Sequence, residues 1–176
     1  MAKVLTWPNE ILTRKASPVP YGEKCRELVD SMFDAMDYPN GIGLAAPQIG
    51  VDKRIIVVKV PAIKNGMIVA GATKHTLINP EIIWKKGQLE MGYEGCLSFP
   101  GERVAVPRWP RIKVRGFTIR WEPVTIGGKG LVARVLQHEI DHLNGITLDH
   151  YAKLAKEVLG EQDGDGQQSQ SNETEK

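Results

Sequence analysis

LVARVLQHEIDHLNG, residues 131–145, is the stretch from which the architecture can be read. Apolar residues fall nearly all round a helical projection of 131–143, which predicts a buried helix, and Asn144-Gly145 supplies its C-terminal stop. A buried helix does not carry polar groups without partners, yet this one holds His138, Glu139 and His142. Residues four apart share a helical face, so the two imidazoles can point at one atom, and a metal ion is the economical identity for it. Glu139 is rotated about a quarter turn away, which spares it from ligation and leaves it beside a metal-bound water, where a general base belongs. The bland alternative is a chance HExxH whose histidines are satisfied core or surface groups. Three polar groups inside one buried helix make chance the poorer account.

Such a helix needs apolar layers around it. RIIVVKV (54–60), HTLINPEIIW (75–84) and QLEMGYE (88–94) are β-branched or alternating and bounded by Pro and Gly, so they predict strands. RIKVRGFTIR (111–120) sets Ile112 and Val114 against Arg111, Lys113 and Arg115 on opposite faces, and Glu122-Pro123 turns into a further short strand, VTI. A one-sided antiparallel sheet follows. From Glu23 to Tyr38, Cys25, Leu28, Val29, Met32, Phe33 and Met36 form an amphipathic helical stripe that Pro39, Asn40 and Gly41 end. Cys25 and both methionines on that stripe read as core. The expected fold is α+β: antiparallel β-sheets packed around the central HExxH helix, with the N-terminal amphipathic helix outside.

Residues 1–160 contain no linker and read as a single catalytic domain of ordinary globular composition. Residues 161–176 carry five acids and one base and read as an acidic disordered tail. With a net charge of +2 overall, the tail leaves +6 on residues 1–160, an excess that solubility alone explains, so no direct nucleic-acid site is read from it. No apolar run is long enough for a bilayer, and MAKVLTWPNEILTRK does not read as a signal peptide, so no membrane role and a cytoplasmic address are expected. Two cysteines are too few for a disulfide framework.

The residues alone leave the third metal ligand open. A metzincin would place a histidine at 148, where this chain has Leu148. A carboxylate on a following helix, as in thermolysin-like proteases, would have to be Glu157, while His150 and His75 read as surface residues. Upstream, EGCLSFPG (94–101) offers Cys96 from a loop.

Three segments, GIGLAAPQIG (41–50), EGCLSFPG (94–101) and QHEIDHLNG (137–145), resemble in order and spacing the motifs of peptide deformylase, and VLTWPNEILTRKASPV (4–19) is similar to its N-terminal part. The resemblance covers roughly residues 4–151. It implies Cys96 as the third ligand beside His138 and His142, leaving a fourth position for water, as in catalytic sites. It also implies Fe(II) as the metal, although the residue types suit Zn(II), and Ni(II) or Co(II) are further candidates in purified protein. The implied reaction removes the N-formyl group from N-formyl-methionyl nascent polypeptides and releases formate. Metal-bound water attacks the formyl carbon while Glu139 acts first as base and then as acid.

Gln48 has an amide NH to offer the oxyanion, and the resemblance implies the backbone NH of Leu97 as a second donor. Gly43 would let a peptide backbone approach, and Ile42, Leu97 and Val135 would line an apolar pocket for the methionine side chain. Arg103 and Arg108 are candidates for touching substrate or for anchoring the EGCLSFPG loop through carboxylates. Glu94 reads as a structural acceptor within that loop. The long basic C-terminal helix that the resemblance links to ribosome docking is missing, so ribosome association by that route is not expected. Two other classes compete: a zinc endopeptidase with a carboxylate third ligand, and a metal or peptide-binding module that would have no use for a base at Glu139.

Overall fold

The computed structural model describes residues 2–37, 41–64 and 67–163. The fold is α+β. Among the described residues, seven strands, β1 (Gly43–Ala45), β2 (Ile55–Lys64), β3 (Met67–Lys86), β4 (Glu90–Cys96), β5 (Phe99–Arg108), β6 (Arg111–Phe117) and β7 (Pro123–Lys129), accompany three α-helices, α1 (Arg26–Asp37), α2 (Leu131–Leu143) and α3 (Leu148–Asp163). The described strands form two antiparallel sheets, in keeping with the expected antiparallel β-sheets. Five make a sheet in the order β1-β2-β3-β6-β7, and β4 pairs with β5 alone.

The apolar run of β2 shows how the layers arise. Ile56 and Val58 join a core with Leu77, Ile112 and Val114 of the sheet and Ala133, Leu136, Ile140 and Leu143 of α2. Ile55 and Val57, on the other face, join Val29, Met32 and Met36 of α1. A strand covered on both faces reads as a continuous apolar run, and a strand covered on one face alternates. In β6, Ile112 and Val114 are buried while Arg111, Lys113 and Arg115 are exposed. Helix α1 therefore covers the sheet only towards β1 and β2, and α2 covers the opposite face.

Several boundaries differ from the sequence expectations. β3 passes through Asn79-Pro80 as the expected strand 75–84 does, but runs further at both ends, from Met67 to Lys86, with shifts in its register to β6 at Ile78/Glu81 and Ile82/Trp84. Asn79 sits at φ 50, and its side-chain amide both accepts from Val19 N and donates to Val19 O at 2.9 Å. Cys96 is not in a loop but is the last residue of β4, paired with Phe99 across the two-residue turn Leu97-Ser98. Helix α3, not foreseen, runs to Asp163, three residues into the stretch read as a tail. Residues 164–176 of that tail, and Pro39 and Asn40 of the expected helix stop, lie outside the described residues. Among the described residues no helix is long and apolar enough to cross a membrane.

Candidate active site

One turn of α2 brings His138 and His142 together, with ring centroids 4.9 Å apart. The end of β4 brings Cys96 to the same place, its Sγ 3.2 Å from Nε2 of His142. One donor atom from each of the three lies within 4.8 Å of the others. Ligand atoms held at about 2.0 to 2.3 Å around a tetrahedral ion stand roughly 3.5 Å apart, so two imidazoles and a thiol at this spacing fit a divalent metal of borderline softness. Glu157, His150 and His75 take no part in the cluster.

Glu94 is the hub behind these ligands. Nδ1 of His138 donates to its Oε2 at 2.8 Å, which leaves Nε2 of that ring as the ligating nitrogen. Arg108 donates to both carboxylate oxygens at 2.9 Å, and Arg134 donates to Oε1 at 2.9 Å. Arg108 also reaches Asp141 and the Tyr151 hydroxyl, which in turn donates to Asp141 at 2.7 Å. Burial works against an ionised Glu94, but the hydrogen bonds from His138 and Arg108 outweigh it and hold its pKa down at about 2. Burial likewise opposes a charged His138, yet its contacts with Cys96 and Glu94 lift its pKa to about 10. The surroundings are those of a site that holds positive charge. His142, buried and facing His138, is shifted well below the ordinary histidine value.

Glu139 is buried, and among the described residues its Oε2 has no hydrogen-bond partner. Burial is the main cause that raises its pKa to about 7, with His138 opposing and the Glu94 charge adding to it. A carboxylate so placed is an acceptor held free for a proton. Gln48, also buried, is fixed at both ends of its amide. Its Oε1 accepts from Ala45 N at 2.9 Å, so Nε2 is turned to Ser98 Oγ at 3.2 Å and Cys96 Sγ at 3.5 Å.

These groups open into a cleft of about 640 Å³ between β4–β5 and the start of α2. Ile42, Gly43, Gln48, Cys96, Leu97, Val135, His138 and Glu139 all line it. Arg103 does not: it is exposed on β5 and absent from the cleft wall, which removes the geometric support for a substrate contact. Arg108, the other candidate, is the buried anchor of Glu94 and Asp141. Gly43 keeps its place on the cleft wall, and on the side where a Cβ would project it meets Glu139, since a Cβ there would stand 2.3 Å from Oε1.

Sequence reasoning missed the reach of Glu94 to His138, the Ser98 contact to Gln48, and Arg134. Arg134 lies on the cleft wall and donates to Glu94, to Val106 O at 2.9 Å and to Glu90 O at 3.0 Å. The available signal was an arginine in an otherwise apolar helix turn, which should have demanded an acceptor.

The family described as polypeptide deformylase matches residues 1–157. Peptide deformylase 1 of Bacillus subtilis (strain 168) is 42% identical over 155 residues, 88% of this chain and 90% of that protein. Among solved structures, PDF from the Vibrio parahaemolyticus bacteriophage VP16T in complex with actinonin is 43% identical with a TM-score of 0.74, covering 82% of this chain and 98% of that one. A probable peptide deformylase from Synechococcus phage S-SSM7 is 38% identical with a TM-score of 0.76, covering 86% and 99%.

Proposed function

The chain belongs to the polypeptide deformylase family and is a hydrolase that takes N-formyl groups from nascent peptides, and we propose that it does so with Glu139 as the proton carrier and Gln48 and Leu97 as oxyanion donors. The observation that carries this reading is the convergence in one cleft of the free Glu139 Oε2, the fixed Gln48 Nε2 and the Cys96–His138–His142 cluster. A divalent ion held by those three residues, Fe(II) by the resemblance and with Zn(II), Ni(II) or Co(II) as substitutes, would supply Lewis acidity to water and to the formyl carbonyl.

The chain's own groups do the rest. Glu139 accepts a proton from the attacking water as its oxygen bonds to the formyl carbon. The carbonyl oxygen becomes an oxyanion, to which Gln48 Nε2 and the Leu97 backbone NH donate. As the C–N bond breaks, Glu139 returns the proton to the leaving amine, giving formate and a free N-terminus. Ile42, Leu97 and Val135 form the apolar wall for the methionine side chain of an N-formyl-methionyl nascent polypeptide. Residues 1–160 carry this chemistry as one catalytic domain.

The test is formate release from a formyl-Met peptide by protein purified without oxygen, with metal content measured on the same sample. Rapid release with internal peptide bonds left intact is the expected result. No release from fully metallated protein, or cleavage of internal bonds in unformylated peptides, rejects the reading.

A further inference from the structure

The face of the five-stranded sheet turned away from α2 is covered by α1 only near β1 and β2, so β3, β6 and β7 present the remainder to solvent. Directly opposite residues in antiparallel strands share a face. Lys86, Arg111 and Lys129 form one row across the three strands, Trp84, Lys113 and Gly127 the next, and Glu81, Arg115 and Thr125 the third. All nine are exposed. The one acid, Glu81, already accepts from Arg115 at 3.0 Å. Among the described residues Lys86, Arg111, Lys113 and Lys129 form no ion pair. Lys113 Nζ lies 5.6 Å from the centre of the exposed Trp84 ring.

A solvated sheet face is stabilised when opposite charges meet across strands and destabilised when like charges do. Three bases abreast therefore weaken the isolated chain, and the arrangement becomes favourable only when a polyanion lies across it. The rows lie about 7 Å apart along a strand, with about 4.8 Å between strands, so the bases form a grid rather than a point. The indole beside the bases points to a nucleic acid, because an unpaired nucleobase stacks on an aromatic face while flanking cations hold its phosphates, the combination that Trp84 and the four basic residues offer.

We propose that this face docks on RNA exposed at the ribosome surface, with phosphates on Lys86, Arg111, Lys113 and Lys129 and a base on Trp84. The choice of ribosomal RNA rests on the deformylase reading, since nascent substrates emerge there; the RNA chemistry does not. Because α2 lies on the other side of the sheet, docking leaves the cleft open to the emerging chain. The overall charge concealed this face, which exists only once the register sets three strands side by side.

The probes are purified bacterial 70S ribosomes and ribosomal RNA stripped of protein, with the full chain in co-sedimentation across a salt series. Binding is expected to both, and to weaken steeply with salt as phosphate contacts are lost. The Lys86→Glu/Lys129→Glu variant should bind at least about tenfold more weakly with a shallower salt slope, and Trp84→Ala should lose about fivefold or more. Both should release formate at the parental rate, so a docking failure is distinct from a failure of the catalytic reading. Arg111→Glu restores alternating charge in the first row and should melt no lower than the parent, while binding RNA more weakly. The proposal is overturned if the charge variants bind ribosomes as the parent does, or if stripped RNA neither binds nor competes, which would assign docking to an acidic protein. Preference for phosphatidylglycerol vesicles over ribosomes overturns it as well.

Discussion

At Gly43, a Cβ would stand 2.3 Å from Oε1 of Glu139 and 2.9 Å from Cγ1 of Val135. Neither neighbour can retreat far, since Val135 and Glu139 share a helical face one turn apart. Gly43→Ala should therefore displace the carboxylate and lower kcat by roughly 10²-fold, with metal per chain unchanged. In a Glu139→Ala background the same substitution should cost clearly less stability, since only the Val135 contact then remains, a coupling that a double-mutant cycle of melting curves would measure; equal costs in both backgrounds would sink the steric account. Gln48→Leu removes an oxyanion donor and should lose about 10² to 10³ in rate while retaining metal, and full activity in that variant would exclude the assigned role. His138, Glu139 and His142 were legible because helical spacing fixes their mutual positions. Glu94 and Ser98 were not: their partners, His138 and Gln48, are 44 and 50 positions away in the chain, and no local period reports such a contact.

Among the elements, the joint between α2 and the β4–β5 hairpin sets the site's geometry. Arg134 reaches from the helix to Glu94, Glu90 O and Val106 O, and a side chain on Gly92 would collide with its guanidinium at 2.7 Å. Arg134→Leu removes the bonds by which α2 holds Glu90 O and Val106 O of the hairpin and takes one donor from the carboxylate that orients His138. Bound metal should then pass to a chelator about 10 to 100 times faster, followed by the absorbance of a colorimetric chelator; an unchanged rate would make Arg134 a bystander. Strand existence was readable from alternation in β6 and from the two-sided apolar run of β2. Strand extent was not. β3 reaches Met67 and Lys86, beyond both ends of the expected 75–84, because its pairing with β2 and β6 continues past the apolar stretch. Helix α3 was missed because its apolar contacts are few, with Leu148 and Tyr151 packing on Phe99 and Val106 of β5.

At the scale of the whole molecule, the α+β class followed from the sequence, but the strand order did not. Nothing local says that β6 returns to β3 while β4 and β5 leave to form their own sheet. That second sheet is tied back by the buried Arg108, which reaches Glu94, Asp141 and Tyr151. Tyr151 gives the tie a pH dependence. Burial, then the Asp141 charge, raise its phenol pKa above the ordinary value of 10.0. A raised pKa contributes stability in full below the unfolded value and loses it as pH climbs towards the folded one. Melting curves should therefore show an alkaline loss beginning above about pH 10 that is smaller in Tyr151→Phe, and identical profiles for the two proteins would show that the tie does not titrate. The position of Cys96 has a further consequence. Two attachments of the proposed ion lie within one helical turn, but the third is 46 residues upstream of His142, on the other sheet. The ion is then a cross-link as much as a reagent, closing a long loop that would otherwise be free in the unfolded chain. Depletion should loosen the molecule in order, with hydrogen exchange rising first along β4 and β5 and only later in α2, so that a cell short of metal would accumulate a half-open protein exposed to proteases rather than an intact idle enzyme.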